Sequence, residues 1–410
     1  MKVLFIHEAP GQFGVLHKYL NGKGLADSWL MCSQSVYNAE KNNIPNIIPF
    51  GIPKDEEKTF FYVRKFEGRI KRSFHIRKAI LDFLQNHKVD IIVTHGSGGF
   101  PLQIFDEFNI PIITYIEFPS FTMHGYDPKY PQPEYAFYID KLFEMTSYHQ
   151  VIKSDFVVVP SEYSKTMYPD YLQHKIYAQM EGFDIKRKPP NYKKKEGFHY
   201  IGYTARDLSS AKGFEQFILI AKRILEKRKD VKFIFCGSPK ILYSYEGEML
   251  QKAYGPNHKE TFMSHILRRE EIDLKTNDNF THIEFSKYDD FAGFIESIDI
   301  FLYPIQFGSA NWGLFELLFR GRVVIASNRC FVPEVISHGR NGFLCEYEDI
   351  DTWARVAIDV LENLKKYTHI GKNAVDDAVG RFGIDTVSKQ YLSLFNLAIA
   401  QRQVKKLKKN

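Results

Sequence analysis

Short apolar runs rich in β-branched residues recur along this chain, separated by helix-periodic stretches and glycine-bearing loops. KVLFIH (2–7) predicts a buried strand, and the glycine loop PGQFG (10–14) leads from it to a helical stretch, HKYLNGKG. DIIVTH (90–95) predicts a second strand, ending in another glycine loop, GSGGF, and PIITYIEF (111–118) a third. A helical pattern over 134–153 then leads to SDFVVVPSEYSKTMYP. Such alternation with short loops predicts a doubly wound α/β domain with a parallel sheet.

The pattern breaks at EGFDIKRKPPNYKKKEG, which is polar, basic and carries Pro189-Pro190, and so predicts a linker over 181–198. It then restarts. HYIGYTA (199–205), VKFIFCG (231–237), THIEFS (281–286), DIFLYP (299–304) and RVVIAS (322–327) predict strands, and FEQFILIAKRILEKR (214–228) an amphipathic helix. The domains expected are therefore 1–180, 199–384 and a C-terminal helix over 385–410 that packs back on the first domain. The length of 410 residues, too great for one ordinary core, agrees with two domains.

Composition changes this picture little. Apolar residues make up 44% and charged residues 25%, the balance of a water-soluble globular protein. No run of about 18 apolar residues predicts a membrane span. The four cysteines, Cys32, Cys236, Cys330 and Cys345, lie far apart with no CxxC, which predicts neither a zinc site nor a disulfide framework and fits a reducing cytoplasm. The net charge of +6 is concentrated in Arg64–Arg77 and in the terminal QRQVKKLKKN. That clustering reads first as a solvated helix face and a frayed tail, and otherwise as attraction to an anionic membrane surface, at the inner face of the plasma membrane, or to a phosphate-bearing substrate. With no binding module beside it, nucleic acid is not expected.

Two stretches carry candidate chemistry. In TARDLSSAKGF (204–214), Arg206 follows a strand and Lys212 immediately precedes a glycine and a helix. A planar fork, a compact charge and helix amides together suit a diphosphate, although two solvent-facing cations would look the same on this stretch alone. In FGSANWGLFELLFRGRVVIASN (307–328), a loop of small residues opens an apolar helix containing one carboxylate, Glu316. A carboxylate one turn into such a helix can accept two hydroxyl hydrogens, as from a ribose, where a diphosphate lies against the helix start. A dinucleotide enzyme is disfavoured, because the third glycine of a G-x-G-x-x-G in HGSGGFP falls at Pro101. Metal is not indicated, since Asp289-Asp290 lacks the intervening residue of D-x-D.

Taken together, YPIQFGSANWGLFELLFRGRVVIASNRCFVPEVISHGRNGFL resembles the donor-site segment of the family 4 glycosyltransferases of GT-B fold. The matching positions are Glu316, Gly321, Val323-Val324, Pro333-Glu334-Val335-Ile336 and Gly339-Arg340-Asn341-Gly342. TARDLSSAKGF is similar to the family's Arg-and-Lys diphosphate clamp, PGQFG to its first glycine loop, and VVVPSEYSKTMYP to the end of its N-terminal half. The resemblance implies two Rossmann-like domains with parallel sheets facing a central cleft. It also implies a retaining transferase that moves a hexose from a nucleotide-sugar, UDP-linked by first choice, to a polysaccharide or lipid-linked glycan without a metal or other cofactor.

By the same resemblance the donor site is expected to use Gly11, Gln12, Gly308, Ser309, Ala310, Asn311, Trp312, Gly313, Leu314 and Glu316, and the catalytic groups to be Arg206, Lys212, Glu117 and His95. The chain departs from the family at one point. The first of its paired glutamates, eight positions before the second, is replaced by Gly308, so the loop through Asn311 must hold the sugar. A non-hydrolysing UDP-sugar epimerase of the same fold, or a non-catalytic nucleotide-sugar-binding protein, is the alternative expectation.

Overall fold

In a computed structural model, all residues are described except 10, 52–59, 61–62, 97–107, 121–126, 241–245, 286 and 408–410. The loop GSGGF beyond Gly96, the middle of 115–131, Ser286 and the end of the terminal basic run therefore lie outside the described residues, as do the side chains of Lys65, Lys405 and Lys406.

The chain divides into two compact units. The first comprises Met1–Phe121, Tyr135–Asp184 and Arg381–Asn410; the second comprises Thr122–Glu134 and Ile185–Gly380. In the first, strands β1 (Lys2–Ile6), β2 (Asp27–Ser33), β3 (Ile47–Phe50), β4 (Ile91–His95), β5 (Ile112–Tyr115), β6 (Phe156–Val159) and β7 (Ile176–Ala178) form one sheet in the order β3-β2-β1-β4-β5-β6-β7. Every pairing is parallel. The helices Gly11–Gly22 and Ile384–Leu407 cover one face, where Leu16, Leu20, Val387 and Phe395 pack on Val3, Phe5 and Val93. The helix Arg64–Leu84 covers the other, with Ile76, Ile80 and Phe83 against Leu4, Ile92 and Ile112.

The second unit has strands β8 (His199–Asp207), β9 (Val231–Ser238), β10 (Phe280–Ile283), β11 (Ile300–Tyr303), β12 (Val323–Ser327) and β13 (Phe343–Cys345), ordered β10-β9-β8-β11-β12-β13. Its pairings too are all parallel. The helix Phe214–Lys227 buries Phe214, Phe217, Ile218, Ala221 and Ile224, the i, i+3, i+4 stripe read from its sequence. Trp353, Ala357 and Val360 of Ile350–Glu362 complete that core. In each sheet the order of travel reverses once, between β1 and β4 and between β8 and β11. Open α/β sheets bind ligands outside the carboxyl ends of their strands at such points.

The structure departs from the linear reading in several places. PGQFG is not a free loop, since the first helix already begins at Gly11. β8 runs through Arg206 to Asp207, with an irregularity in its pairing between Thr204 and Asp207, so Arg206 lies in a strand rather than beyond it. Residues 127–134, counted above with the first domain, belong to the second unit, where Lys129 and Tyr130 bind the buried Glu215. The polar segment taken as a linker from 181 starts inside the first unit: Glu181 is 3% exposed, and Phe183 pairs with the backbone of Phe382 and Ile384.

Candidate functional site

In the second unit, the loops that follow β8 and β11 are tied together at the reversal point. Gln306 and Phe307 both donate their N–H to the carbonyl of Ala211, each at 3.1 Å. Gly213 has φ of +77°, and a Cβ there would stand 1.5 Å from the Pro304 carbonyl oxygen, so only glycine permits this approach. The buried Glu246 accepts the Ser210 N–H at 2.8 Å and pins the same loop from the other side. As a result, Nζ of Lys212 lies 3.5 Å from Oδ1 of Asn311, the residue that precedes the helix Trp312–Phe319. Arg206 stands exposed near the end of β8.

Asn311 makes no side-chain cap to its helix. Its carboxamide is engaged instead with Lys212 and with the hydroxyl of Tyr303, whose phenol burial pushes well up. This arrangement accounts for Gly308. A Cβ at that position would stand 2.8 Å from Cδ1 of Ile305 and 3.0 Å from Oδ1 of Asn311, so a side chain there would require the ends of those two side chains to shift. A Cβ on Gly313, by contrast, would meet nothing, and the first turn is open there. Trp312 is 42% exposed beside it, while Ser309 is buried and Ala310 half-buried. Leu314 differs from expectation: its side chain is fully buried, and its N–H is donated to the Asn311 carbonyl at 3.0 Å.

Glu316 is neither a bare helix-dipole carboxylate nor an empty acceptor. The hydroxyl of Tyr288 lies across both its oxygens, at 2.8 and 3.1 Å, and Nη2 of Arg320 is 3.0 Å from Oε2. Burial pushes the Glu316 carboxyl up, and the Tyr288 hydrogen bond and the Arg320 charge oppose that shift. The Tyr288 phenol is pushed up to about 12, by burial first and by the Glu316 charge second. Neither Tyr288 nor Arg320 was singled out from the sequence. Arg320 had a visible signal, four residues after Glu316 on one helix. Tyr288, 28 residues earlier, had none.

The first unit gathers its expected residues at the corresponding reversal point. His95 ends β4 and is 6% exposed; His7 lies just beyond β1 and is half-buried. The two imidazoles stack with centroids 4.1 Å apart. Gly11 has φ of +35°, and a Cβ there would stand 2.6 Å from Cε1 of His7, so this glycine makes room for an imidazole. Burial, and then the neighbouring His7, hold the His95 imidazole well below its ordinary value, which keeps it neutral. Nε2 of Gln12 donates to Glu117 at 3.1 Å and also reaches the buried Glu181. Glu181 further accepts the Tyr115 hydroxyl, and burial pushes its carboxyl up to about 7. His7 and Glu181 were missed because one sits in an unremarkable strand end and the other in a basic segment.

Among the described residues, no group of three or more His, Cys, Asp or Glu is arranged to hold a metal ion, and no helix is long and apolar enough to cross a membrane.

Comparison with known proteins gives a concordant set of matches. Residues 26–187 match the model of a glycosyl transferase family 4 group, and residues 184–377 that of the glycosyl transferases group 1. Spore coat protein SA of Bacillus subtilis is 26% identical over 190 residues, 46% of each chain. N-acetyl-alpha-D-glucosaminyl L-malate synthase of Bacillus anthracis is 28% identical over 109 residues, 27% of this chain and 29% of that one. The match thus spans about half, or less, of the length of these curated relatives. In fold, the chain is similar to sucrose-phosphate synthase from Thermosynechococcus elongatus (TM-score 0.71, 14% identity, 98% of this chain and 100% of that one). It is likewise similar to Anabaena HepE in complex with UDP (TM-score 0.63, 15% identity, 97% and 100%).

Proposed function

The chain belongs to the family 4 glycosyltransferases, and on that premise we propose that it is a retaining, metal-independent hexosyltransferase that uses a UDP-sugar. The observation that carries this reading is the convergence, at the reversal point of the second sheet, of Lys212, Asn311, an uncapped helix start and Glu316 one turn along. A nucleoside diphosphate has a matching order of groups: anionic phosphates for the cations and helix amides, then ribose hydroxyls for the carboxylate. UDP is chosen as the nucleotide because HepE, of like fold, was solved with it.

As the bond between sugar and diphosphate breaks, negative charge grows on the leaving group. Arg206 and Lys212 are assigned to that charge, together with the amides near Gly313; two fixed cations can do here what a divalent ion does elsewhere. Asn311 and the backbone of Gly308–Ala310 are assigned to the donor sugar in place of the absent glutamate. In the first unit, Glu117, Gln12 and His7, with the ring of His95 stacked behind it, are assigned to the acceptor hydroxyl, on a polysaccharide or lipid-linked glycan. Gly11 serves that site through His7.

A cytoplasmic location at an anionic membrane is proposed from the helix Arg64–Leu84, which exposes Ile70 and Phe74 beside Arg64, Lys71 and Lys78. Basic side chains flanking exposed apolar ones suit a charged lipid interface.

The test is a melting-temperature screen of UDP-, GDP- and ADP-sugars, since a ligand that binds the native state raises the transition. A UDP-sugar is expected to give the largest shift, and UDP release is expected only with a glycan acceptor. Isomerisation of the sugar without acceptor would identify an epimerase instead.

A further inference from the structure

Arg320 is 0% exposed, the most completely enclosed cation near the proposed donor site. A guanidinium is taken out of water at great cost unless each face finds a partner. Here Nη1 donates to the Lys186 carbonyl at 2.6 Å. Nη2 donates to the Tyr288 hydroxyl at 3.1 Å and lies 3.0 Å from the Glu316 carboxylate. Nε has no hydrogen-bond partner among the described residues, so the group's compensation rests on those contacts. The helical spacing of four residues places the two side chains on one face, and the Lys186 carbonyl fixes the far end of the arginine from another segment.

We propose that Arg320 is a positioning residue: anchored on the Lys186 carbonyl, it holds the Glu316 carboxylate ionised and in one orientation for the ribose hydroxyls of a nucleoside diphosphate. The proposal rests on the assignment of Glu316 to the ribose. A lone buried carboxylate has two ways to fail as a ribose acceptor. It can take up a proton, and it can turn to another rotamer. Arg320 opposes both, the first by its charge and the second by a contact whose other end is tied to the backbone. The charged and titratable groups around the pair are Tyr288 on the helix Tyr288–Ser297 and Arg322 just before β12, and Arg322 itself is 3.5 Å from Glu296. Arg322 has its own counter-ion, which leaves Glu316 as the anion for Arg320.

The experiment is calorimetric titration of UDP-glucose, whose diphosphate diester keeps the same charge at pH 5.5 and pH 8, into the full-length wild type and the variants Glu316→Gln, Arg320→Met and Arg320→Lys at both values, each checked for a cooperative melt. The wild type is expected to bind about equally at both values. Arg320→Met is expected to bind about tenfold more weakly at pH 8, and to lose a further several-fold at pH 5.5 as the unsupported carboxyl takes up a proton. Arg320→Lys, which keeps the charge but not the double contact, is expected to recover the pH-independence and only part of the affinity. Wild-type affinity at both pH values in either Arg320 variant, with Glu316→Gln impaired, would overturn the proposal while leaving the ribose assignment standing. Wild-type affinity in Glu316→Gln would overturn that assignment and the proposal with it. Should Arg320→Met fail to fold, the Lys variant still decides, because an inert Arg320 predicts no loss of affinity from it.

Discussion

The imidazoles of His7 and His95 lie face to face, 4.1 Å between centroids and 11° from parallel, just beyond β1 and at the end of β4. The inner ring is the one read from the sequence as catalytic; the outer ring, His7, is the one with access to solvent. His95→Phe is therefore expected to keep much of the turnover, since a ring of similar size preserves the stack, whereas His7→Ala is expected to lower it by at least tenfold. Steady-state rates with a glycan acceptor check this, and equal losses in the two variants would restore His95 to a direct role.

His95 and Glu181 make opposite contributions to stability as pH changes. His95 has a folded value well below its ordinary 6.5, so on acidification the unfolded chain takes up a proton that the folded one refuses. Stability from this group is present above about pH 6.5 and is lost below it. Glu181 has a folded value of about 7 against an ordinary 4.5, so the folded chain holds the proton longer. Its contribution is present at low pH and is lost as pH rises from about 4.5 to about 7, on the order of 3 kcal/mol in all. Urea melts across this range are expected to show a shallower acid limb for His95→Phe and a gain near pH 8 for Glu181→Gln. An unchanged profile in Glu181→Gln would remove the titration from that carboxyl.

Gly213→Ala is expected to cost about 3 kcal/mol or more, because it combines a left-handed backbone with a collision against the Pro304 carbonyl. The loops after β8 and β11 would part, and Lys212 would leave Asn311. Chemical denaturation and UDP titration on the same sample check both effects; loss of stability with intact UDP binding would show that loop contact is not needed for the site.

The hydroxyl of Tyr288 spans both oxygens of Glu316, the carboxylate assigned above to the ribose. Tyr288→Phe removes the competing hydroxyl, and UDP is expected to bind more tightly, by up to about tenfold given the strength of hydrogen bonds to charged groups. Weaker binding would instead mean that the tyrosine helps to hold the carboxylate.

How far the sequence disclosed all this depends on the length of each signal. The strands with four or more consecutive apolar residues, such as FVVV and VVIAS, were legible because buried parallel strands are continuously apolar. β2, whose apolar WLMC holds no β-branched residue and follows Asp27 and Ser28, the proline-bearing IIPF of β3 and the three-residue β7 and β13 were not, since the first lacks the β-branched signature and the others offer no run of four. At the site, Lys212, Asn311 and Glu316 were found because they sit beside a glycine, a loop and an apolar helix in sequence order. Tyr288 and Glu181 were missed because their partners come from distant segments, and a buried carboxylate in a lysine-rich stretch looks like any solvated one.

Binding to vesicles rich in acidic lipid is expected at low salt and is expected to fade towards 0.5 M, as screening shortens with ionic strength. Ile70→Glu with Phe74→Glu is expected to abolish it, because both exposed apolar side chains are replaced by charges. Vesicle sedimentation checks this, and binding that persists in the double variant would leave the helix Arg64–Leu84 as an ordinary solvated face.

Diphosphate charge, growing as the sugar departs, is assigned to Arg206 and Lys212. The most direct measurement is the turnover number at saturating UDP-sugar for Arg206→Ala and Lys212→Ala. A fall of about 10² to 10³ is expected for Arg206→Ala, with a smaller rise in the donor's Michaelis constant, partial rescue by Arg206→Lys, and no restoration by magnesium. Full turnover in both alanine variants would place the stabilising charge elsewhere and contradict this assignment.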